Sequence, residues 1–296
     1  MIGVVIINFG NPERTIRFVR EECGKIGAPH QVVIVDNGSG ADALAQLQAA
    51  LLLAETASAP NPAAASAAPA VTILPADKNL GFAKANNLGA EKALEAGADA
   101  LLFVNNDIVF TDADVVDRMA AKLAELPSTG IIGPKVVGVD GRLQSPSPKQ
   151  SFAQRNLLPY WGKLIYGPRK LREKMQSDFA ETAIEGPCST VSGCCFMVKA
   201  GAFSEVGMFD PATFLYAEEM ILSARMAGVG LGAYYYPAVE VLHEHGATTR
   251  KYYDRKRIRS MKFDSEAYYY RSYEKTPAWE ISLGRFTLWL KGLLGR

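Results

Sequence analysis

The sequence predicts an α/β protein built on a doubly wound, mostly parallel central sheet flanked by helices, with a helical C-terminal tail. Three observations predict it: short β-branched runs that are apolar without interruption, helical stretches that alternate with them, and Asn, Asp or Gly residues that close each run. Uninterrupted apolar runs mark strands covered on both faces, as in parallel sheets with helical crossovers. Their polar ends then gather beyond the carboxyl ends of the strands, where open α/β sheets hold ligands.

The elements follow in order. "GVVIINF" (3–9) reads as the first strand; it has no basic stretch before it and no small-residue cleavage site after it, so a signal peptide is not expected. "NPERTIRFVREECGKIG" is the crossover helix and "QVVIVDNGSG" the second strand. A second helix, "DALAQLQAALLLAE", leads into an Ala, Pro and Ser stretch at 56–70 that reads as a surface loop. "AVTILPAD" is the third strand, "NLGFAKANNLGAEKALEAGA" a loop entering a helix, and "DALLFVNND" the fourth strand. Beyond Ile131 come a Gly/Cys-rich strand, "STVSGCCFMVK", two helices in "GAFSEVGMFD" and "FLYAEEMILSARMAGVG", and a closing strand, "GAYYYPAVEVLHEHG". Three segments are expected: 1–125 as a ligand-binding half, 126–249 as the second half of the same domain, and 250–296 as a basic, amphipathic tail.

Charge and cysteine content narrow the function. With 296 residues, 32 Lys and Arg nearly cancel 31 Asp and Glu, which argues against a nucleic-acid partner. The balance is uneven, however: residues 250–296 carry 12 basic and 5 acidic side chains, an excess of +7. No window reaches the length of a membrane span, and the expected location is cytoplasmic. Cys23, Cys188, Cys194 and Cys195 lack zinc-site spacing and read as reduced core thiols.

Three groups carry chemistry. Asn105, Asn106 and Asp107 end the fourth strand; a carboxylate between amides suits Mg²⁺ or Mn²⁺, while Asn and Asp are also ordinary turn formers. Glu218 and Glu219 open a helix with apolar residues behind them. Adjacent positions point about 100° apart, so one faces a pocket as a general base, or both simply complement the helix terminus. His243 and His245 share one strand face; a zinc site would need further ligands of suitable spacing, whereas one His beside an oxygen-ligated cation, or a structural His, does not.

Taken in order, "VVIINFGN", "VVIVDNGS", "NLGFAKANNLG", "LLFVNND", "SGCCFMVKAGAFSEVGMFD", "FLYAEEMILSARMAG" and "PAVEVLHEHG" resemble family 2 glycosyltransferases, in particular the bacterial rhamnosyltransferase-like members. The resemblance covers about residues 2–250. It implies a GT-A fold and transfer of a sugar, with inversion, from a UDP- or dTDP-linked donor to a glycan or lipid-linked acceptor in surface polysaccharide synthesis. Asn8 and Asp36 would border the nucleoside, Asp36 accepting the base N3 hydrogen. Asn79, Gly81, Phe82 and Asn86 would contact base, ribose and phosphates. Asn105, Asn106 and Asp107 stand at the family's metal motif, Asp107 as direct ligand, and His243 as an extra metal or diphosphate contact. Glu219 takes the place of the catalytic aspartate and Glu218 that of the acid before it.

Two departures stand out: Glu219 is a methylene longer than Asp, and Ile221 replaces a further acid. They keep open a catalytically silent sugar-nucleotide or glycan-binding protein as the alternative. A sugar-phosphate nucleotidyltransferase would need a Gly-rich, basic phosphate loop, of which "NFGNPERT" is a poor version. In the tail, the Trp- and Leu-rich residues 279–296 with scattered Lys and Arg suit an anionic membrane surface, making the protein peripheral on the inner face of the membrane. Packing on the catalytic domain or on a second subunit, as a homodimer, is the competing reading.

Overall fold

The computed structural model describes residues 1–57, 70–162, 166, 167, 169–171, 184–244 and 252–293. Most of the 56–70 loop and His245 lie outside them. Among the described residues nine strands form one sheet: β1 (Ile2–Asn8), β2 (His30–Asn37), β3 (Ala70–Ala76), β4 (Ala100–Val104), β5 (Ile108–Phe110), β6 (Thr129–Gly138), β7 (Gly186–Cys188), β8 (Cys195–Lys199) and β9 (Gly232–His243). The order is β3-β2-β1-β4-β8-β6-β9-β5, with β7 pairing β9. The first four strands are parallel throughout; β8 then joins β4 antiparallel, which makes the sheet mixed across its second half.

The chain reverses its direction of travel across the sheet between β1 and β4. At such a switch point neighbouring crossovers leave on opposite faces and open a crevice at the strand ends. Register sets what lies there. Asn8 pairs with Asp36 at the end of β1–β2. On the other side Val5 pairs with Phe103, and past the end of β4 Asn106 is joined to Asn8 through the Thr15 hydroxyl. His243 pairs with Ile108 across β5–β9, which carries the histidine next to Asp107.

Alternation along β1 fills both faces. Val4 and Ile6 join a core with Phe18, Val19 and Leu47 from helices α1 (Pro12–Glu21) and α2 (Ala41–Ala57), and with Met119 from α4 (Val115–Glu125). Val5 joins the opposite core with Ala83, Ala90 and Ala93 of α3 (Phe82–Glu95), Phe203 of α5 (Ala200–Glu205) and Leu222 of α6 (Glu218–Gly228). Helix α3 approaches closely because Gly89 faces Val5, where an added Cβ would come within 2.5 Å of a Val5 methyl. Cys23, Cys194 and Cys195 are buried free thiols, as core thiols should be.

Among the described residues the tail carries two long helices, α7 (Arg255–Ser272) and α8 (Ala278–Leu293). Helix α7 packs on the domain through Met261, Phe263, Ala267, Tyr269 and Tyr270. A polar lock reinforces it: Tyr268 and Tyr273 donate to Asp210 Oδ2 at 2.9 and 2.6 Å, and Arg225 of α6 reaches the same oxygen at 3.0 Å. Among the described residues no helix is long and apolar enough to cross a membrane.

Burial works against the Asp210 carboxylate, but the hydrogen bonds from Tyr273, Ala212 N and Tyr268, with the Arg225 charge, outweigh it and hold its pKa below the ordinary carboxylate value. A depressed pKa stabilises the fold above the unfolded-state value, and that gain is lost as pH falls through the folded value. Asp210→Asn is therefore expected to destabilise the protein at pH 7 by roughly 1–3 kcal/mol, with the difference from wild type shrinking below about pH 4. Urea denaturation at both pH values measures it.

Candidate active site

The crevice at the switch point is a cavity of about 170 Å³ lined by Ile7, Phe9, Asn37, Asn79, Gly81, Phe82, Asn105, Asn106, Asp107, Phe214, Leu215 and Tyr253. Six of the sequence-predicted site residues line it: Asn79, Gly81, Phe82, Asn105, Asn106 and Asp107. Asn8, Asp36 and Asn86 are buried and are not among its lining residues. Successive strand residues point to opposite faces, so of Asp36 and Asn37 only the asparagine lines the cavity.

Beneath the cavity a buried chain of hydrogen bonds joins three strand ends. Asn106 Nδ2 donates to Thr15 Oγ1 at 2.8 Å, and Thr15 Oγ1 donates to Asn8 Oδ1 at 2.8 Å. Asn8 Nδ2 donates to Asp36 Oδ1 at 2.7 Å and to Ser39 Oγ at 3.1 Å. On the far wall Asn37 Oδ1 accepts from Leu80 N, and Asn79 Oδ1 from Gly81 N. Gly81 has φ of +82° and the Phe214 carbonyl 2.3 Å from where a Cβ would stand, so the turn admits no side chain there.

Asp107 forms the floor of the cavity and is buried. Its Oδ2 lies 3.8 Å from an Arg14 guanidinium nitrogen, and its Oδ1, which accepts no hydrogen bond, lies 3.3 Å from His243 Nε2. Gln144 Oε1 is 2.8 Å from His243 Nδ1. Since an amide oxygen only accepts, Nδ1 carries the hydrogen and Nε2 is turned toward the carboxylate. Either an imidazolium paired with Asp107 or a neutral imidazole sharing a cation with it satisfies this geometry. Two ligands about 2.1 Å from an octahedral cation stand about 3 Å apart, close to the spacing found. Among the described residues no group of three or more His, Cys, Asp or Glu could hold a metal; the remaining positions would go to ligand oxygens and water, as Mg²⁺ and Mn²⁺ sites allow.

Glu218 and Glu219 begin α6 directly after Tyr216 and Ala217, two residues with left-handed backbones (φ +78° and +68°). Such strain outside glycine costs of order 1 kcal/mol or more per residue and concentrates at functional sites. Glu218 is buried, with Oε1 lacking a partner, and burial followed by the neighbouring Glu219 charge raises its pKa to about 8. Glu219 remains partly exposed, its Oε2 3.4 Å from where a Cβ on Gly193 would stand. Burial raises its pKa as well, against the Arg155 cation that lowers it. Arg155 itself bonds Glu266 of α7 at 2.7 Å. The Cys194 thiol is pushed up to about 12, mainly by burial, with the Asp107 and Glu219 charges adding to the shift. A thiol held there is packing, not a nucleophile.

The sequence profile of glycosyl transferase family 2 matches residues 4–207. The chain belongs to glycosyl transferase family 2. Among curated proteins this family 2 chain is 26% identical over 261 residues to the N-acetylglucosaminyl-diphospho-decaprenol L-rhamnosyltransferase of Mycobacterium tuberculosis, covering 84% of this chain and 78% of that one. It is 23% identical over 174 residues to an O-antigen biosynthesis protein of Myxococcus xanthus, 59% of this chain and 13% of that one. Among solved structures, the mannosyltransferase PcManGT of Pyrobaculum calidifontis, in complex with GDP-Man and Mn²⁺, superposes with a TM-score of 0.61 at 12% identity, over 100% of this chain and 76% of that one. S. aureus TarS 1–349 in complex with UDP-GlcNAc does so at 0.56 and 14%, over 90% and 64%. These likenesses give the GT-A fold, and the chain is a glycosyltransferase.

Asn37, a polar strand end expected at the crevice, does line the cavity; Phe9, Phe214 and Tyr253 in its wall, and Arg14, Gln144 and Thr15 behind the polar corner, were not expected there. The pattern "NPERT" after the first strand carried a signal for Arg14 and Thr15, whereas Gln144 sits in an irregular segment with none. Glu218 supplies a pH test of the opposite sign to Asp210. A carboxyl whose folded pKa is raised binds its proton in the folded state over the window from the ordinary value to about 8, so stability falls as pH rises through that window. Glu218→Gln is expected to melt higher than wild type at pH 8 and alike at pH 4, by calorimetry.

Proposed function

We propose that this glycosyltransferase moves a sugar, with inversion, from a UDP- or dTDP-linked donor to a hydroxyl of a lipid-linked or glycan acceptor in surface polysaccharide synthesis. The observation that carries the reading is the polar corner at the switch-point cavity, where Asp107 Oδ1 stands 3.3 Å from His243 Nε2; the acid pair that opens α6, buried Glu218 and half-buried Glu219, is the candidate partner of that corner. The mycobacterial relative, named for an acceptor on diphospho-decaprenol, favours a polyprenyl-linked acceptor, and the Myxococcus relative favours polysaccharide synthesis.

In this reading the nucleoside lies against Phe9, Asn37, Asn79 and Phe82, with Asn8 and Asp36 holding the strand ends that present them. The diphosphate meets Asn105, Asn106 and Asp107. Asp107 and His243 would hold Mg²⁺ or Mn²⁺, which when bound would supply Lewis-acid neutralisation of the departing diphosphate. Arg14 adds a fixed cation on the same side, and Gln144 keeps the His243 ring oriented.

Glu219 removes the acceptor proton as that oxygen attacks the anomeric carbon. Burial raises its pKa above the ordinary carboxylate value, which makes its carboxylate a stronger base. Glu218, neutral below about pH 8, leaves the charge on its neighbour unopposed. The added methylene of Glu219 is accommodated by Gly193, which leaves room for the longer side chain. Ile221 is fully buried in the core under the tail helices, so the position where relatives carry a further acid serves packing in this chain. That favours an active enzyme over a silent binder.

Glu219→Gln is expected to lower transfer by about 10²–10⁴-fold while nucleoside diphosphate still raises the melting temperature as in wild type. Product formation with a panel of UDP- and dTDP-sugars on polyprenyl-diphosphate acceptors measures the first. Transfer within a few-fold of wild type removes Glu219 from the role of base.

A further inference from the structure

Helix α8 is apolar on two opposite sides. One side meets the domain: Gly284 sits where an added Cβ would come 2.6 Å from Phe152 and 3.0 Å from Phe263, Thr287 accepts from Trp161 Nε1 at 3.0 Å, and Ile281 and Leu288 pack on the same cluster. At 100° per residue, Trp279, Leu283, Phe286, Trp289 and Leu293 fall between about 140° and 260° from Gly284. All five are exposed, Trp279 by 68%, Leu293 by 64% and Trp289 by 58%. A soluble helix packed on its domain turns a polar side outward; this one does not.

Charge selects the occupant. Helices α7 and α8 are joined by five residues, 273–277, and Phe263 meets Gly284 while Asp264 pairs Arg285 at 3.0 Å. The two therefore run antiparallel, which brings the first turn of α7, with exposed Arg255, Lys256 and Arg257, beside the end of α8 that carries Trp289 and Leu293. The whole segment 250–296 has a +7 excess in a chain whose net charge is only +1. No carboxylate falls within the outward arc, whereas two tryptophans do, the residue type that settles at the headgroup level of a bilayer.

We infer that the α7–α8 hairpin is a docking surface for an anionic lipid bilayer, with the outward side of α8 inserted at the headgroup boundary and the first turn of α7 on the lipid phosphates. The surface is read from the hairpin alone. It deepens the proposed function only in that a bilayer is where a polyprenyl-linked acceptor resides.

Sedimentation of the full chain with vesicles of phosphatidylcholine, with and without 30 mol% phosphatidylglycerol, tests it. Wild type is expected to bind the anionic vesicles at least tenfold better than neutral ones at low salt, and to lose most of that preference at 0.5 M NaCl. The triple variant W279S/F286S/W289S alters only exposed side chains, so its melting temperature should hold while vesicle binding falls at least tenfold. R255E/K256E/R257E should remove the anionic preference. Equal binding by wild type and both variants overturns the inference. So does a concentration-dependent dimer of wild type, seen by analytical ultracentrifugation and abolished by W279S/F286S/W289S, which would give the face to a second copy. The melting-temperature response to nucleoside diphosphate separates this outcome from that of the glycosyltransferase reading, since a membrane failure leaves it intact.

Discussion

The chain of hydrogen bonds from Asn106 through Thr15 and Asn8 to Asp36 is the constraint on which the site depends. Asn8, Thr15 and Asp36 are buried, and a buried polar group without a partner costs about 1–3 kcal/mol. The chain runs from the turn after β4 through Thr15 of α1 to the ends of β1 and β2, and so spans the β1–β4 switch point. Cavity walls that hang from these strand ends, Asn105 and Asp107 on one side and Phe9 and Asn37 on the other, are fixed in their spacing by it. Where the chain stops, unsatisfied atoms begin: Asp107 Oδ1, Asn86 Nδ2 and Glu218 Oε1 are buried without a hydrogen bond. Two of the three belong to the corners that the proposed reaction uses.

Helix α6 carries a second tension. Its first residues follow a strained left-handed pair, and its first carboxyl is buried against its own ionisation; about two turns later Arg225 is tied to Asp210 and to Tyr273 of the tail. The favourable charge cluster at one end offsets the unfavourable one at the other. Arg155 links the same helix region to Glu266 of α7, so the tail is part of what positions the acids. A tail that also meets a bilayer would orient the acceptor side of the enzyme.

Much of this was legible in the sequence because the signals were local. Apolar runs gave β1, β2, β3 and β4, and the polar residues after β3 and β4 gave Asn79, Asn105, Asn106 and Asp107 at the cavity. The acids at 218 and 219 announced themselves as a charged pair ahead of apolar residues. What stayed hidden depends on pairing between distant segments. Nothing in "VVIVDNGS" says that Asp36 would turn inward to Asn8 while Asn37 faces the cavity, because that follows from the β1–β2 register. The approach of Gln144 to His243 spans 99 residues and comes from an irregular loop. The antiparallel entry of β8 was likewise invisible, since a buried strand reads the same in either direction. The tail gave its composition but not its two-helix form, in which one helix is absorbed by the domain and the other shows apolar residues on both sides.

The corner formed by Asp107 and His243 is the element on which the chemical account turns, and titration of UDP and dTDP by calorimetry with either Mn²⁺ or EDTA interrogates it directly. The account predicts that wild type binds at least tenfold more tightly in Mn²⁺ than in EDTA, and that Asp107→Ala binds equally weakly in both. An Asp107→Ala protein that keeps the full Mn²⁺-dependent gain would contradict it.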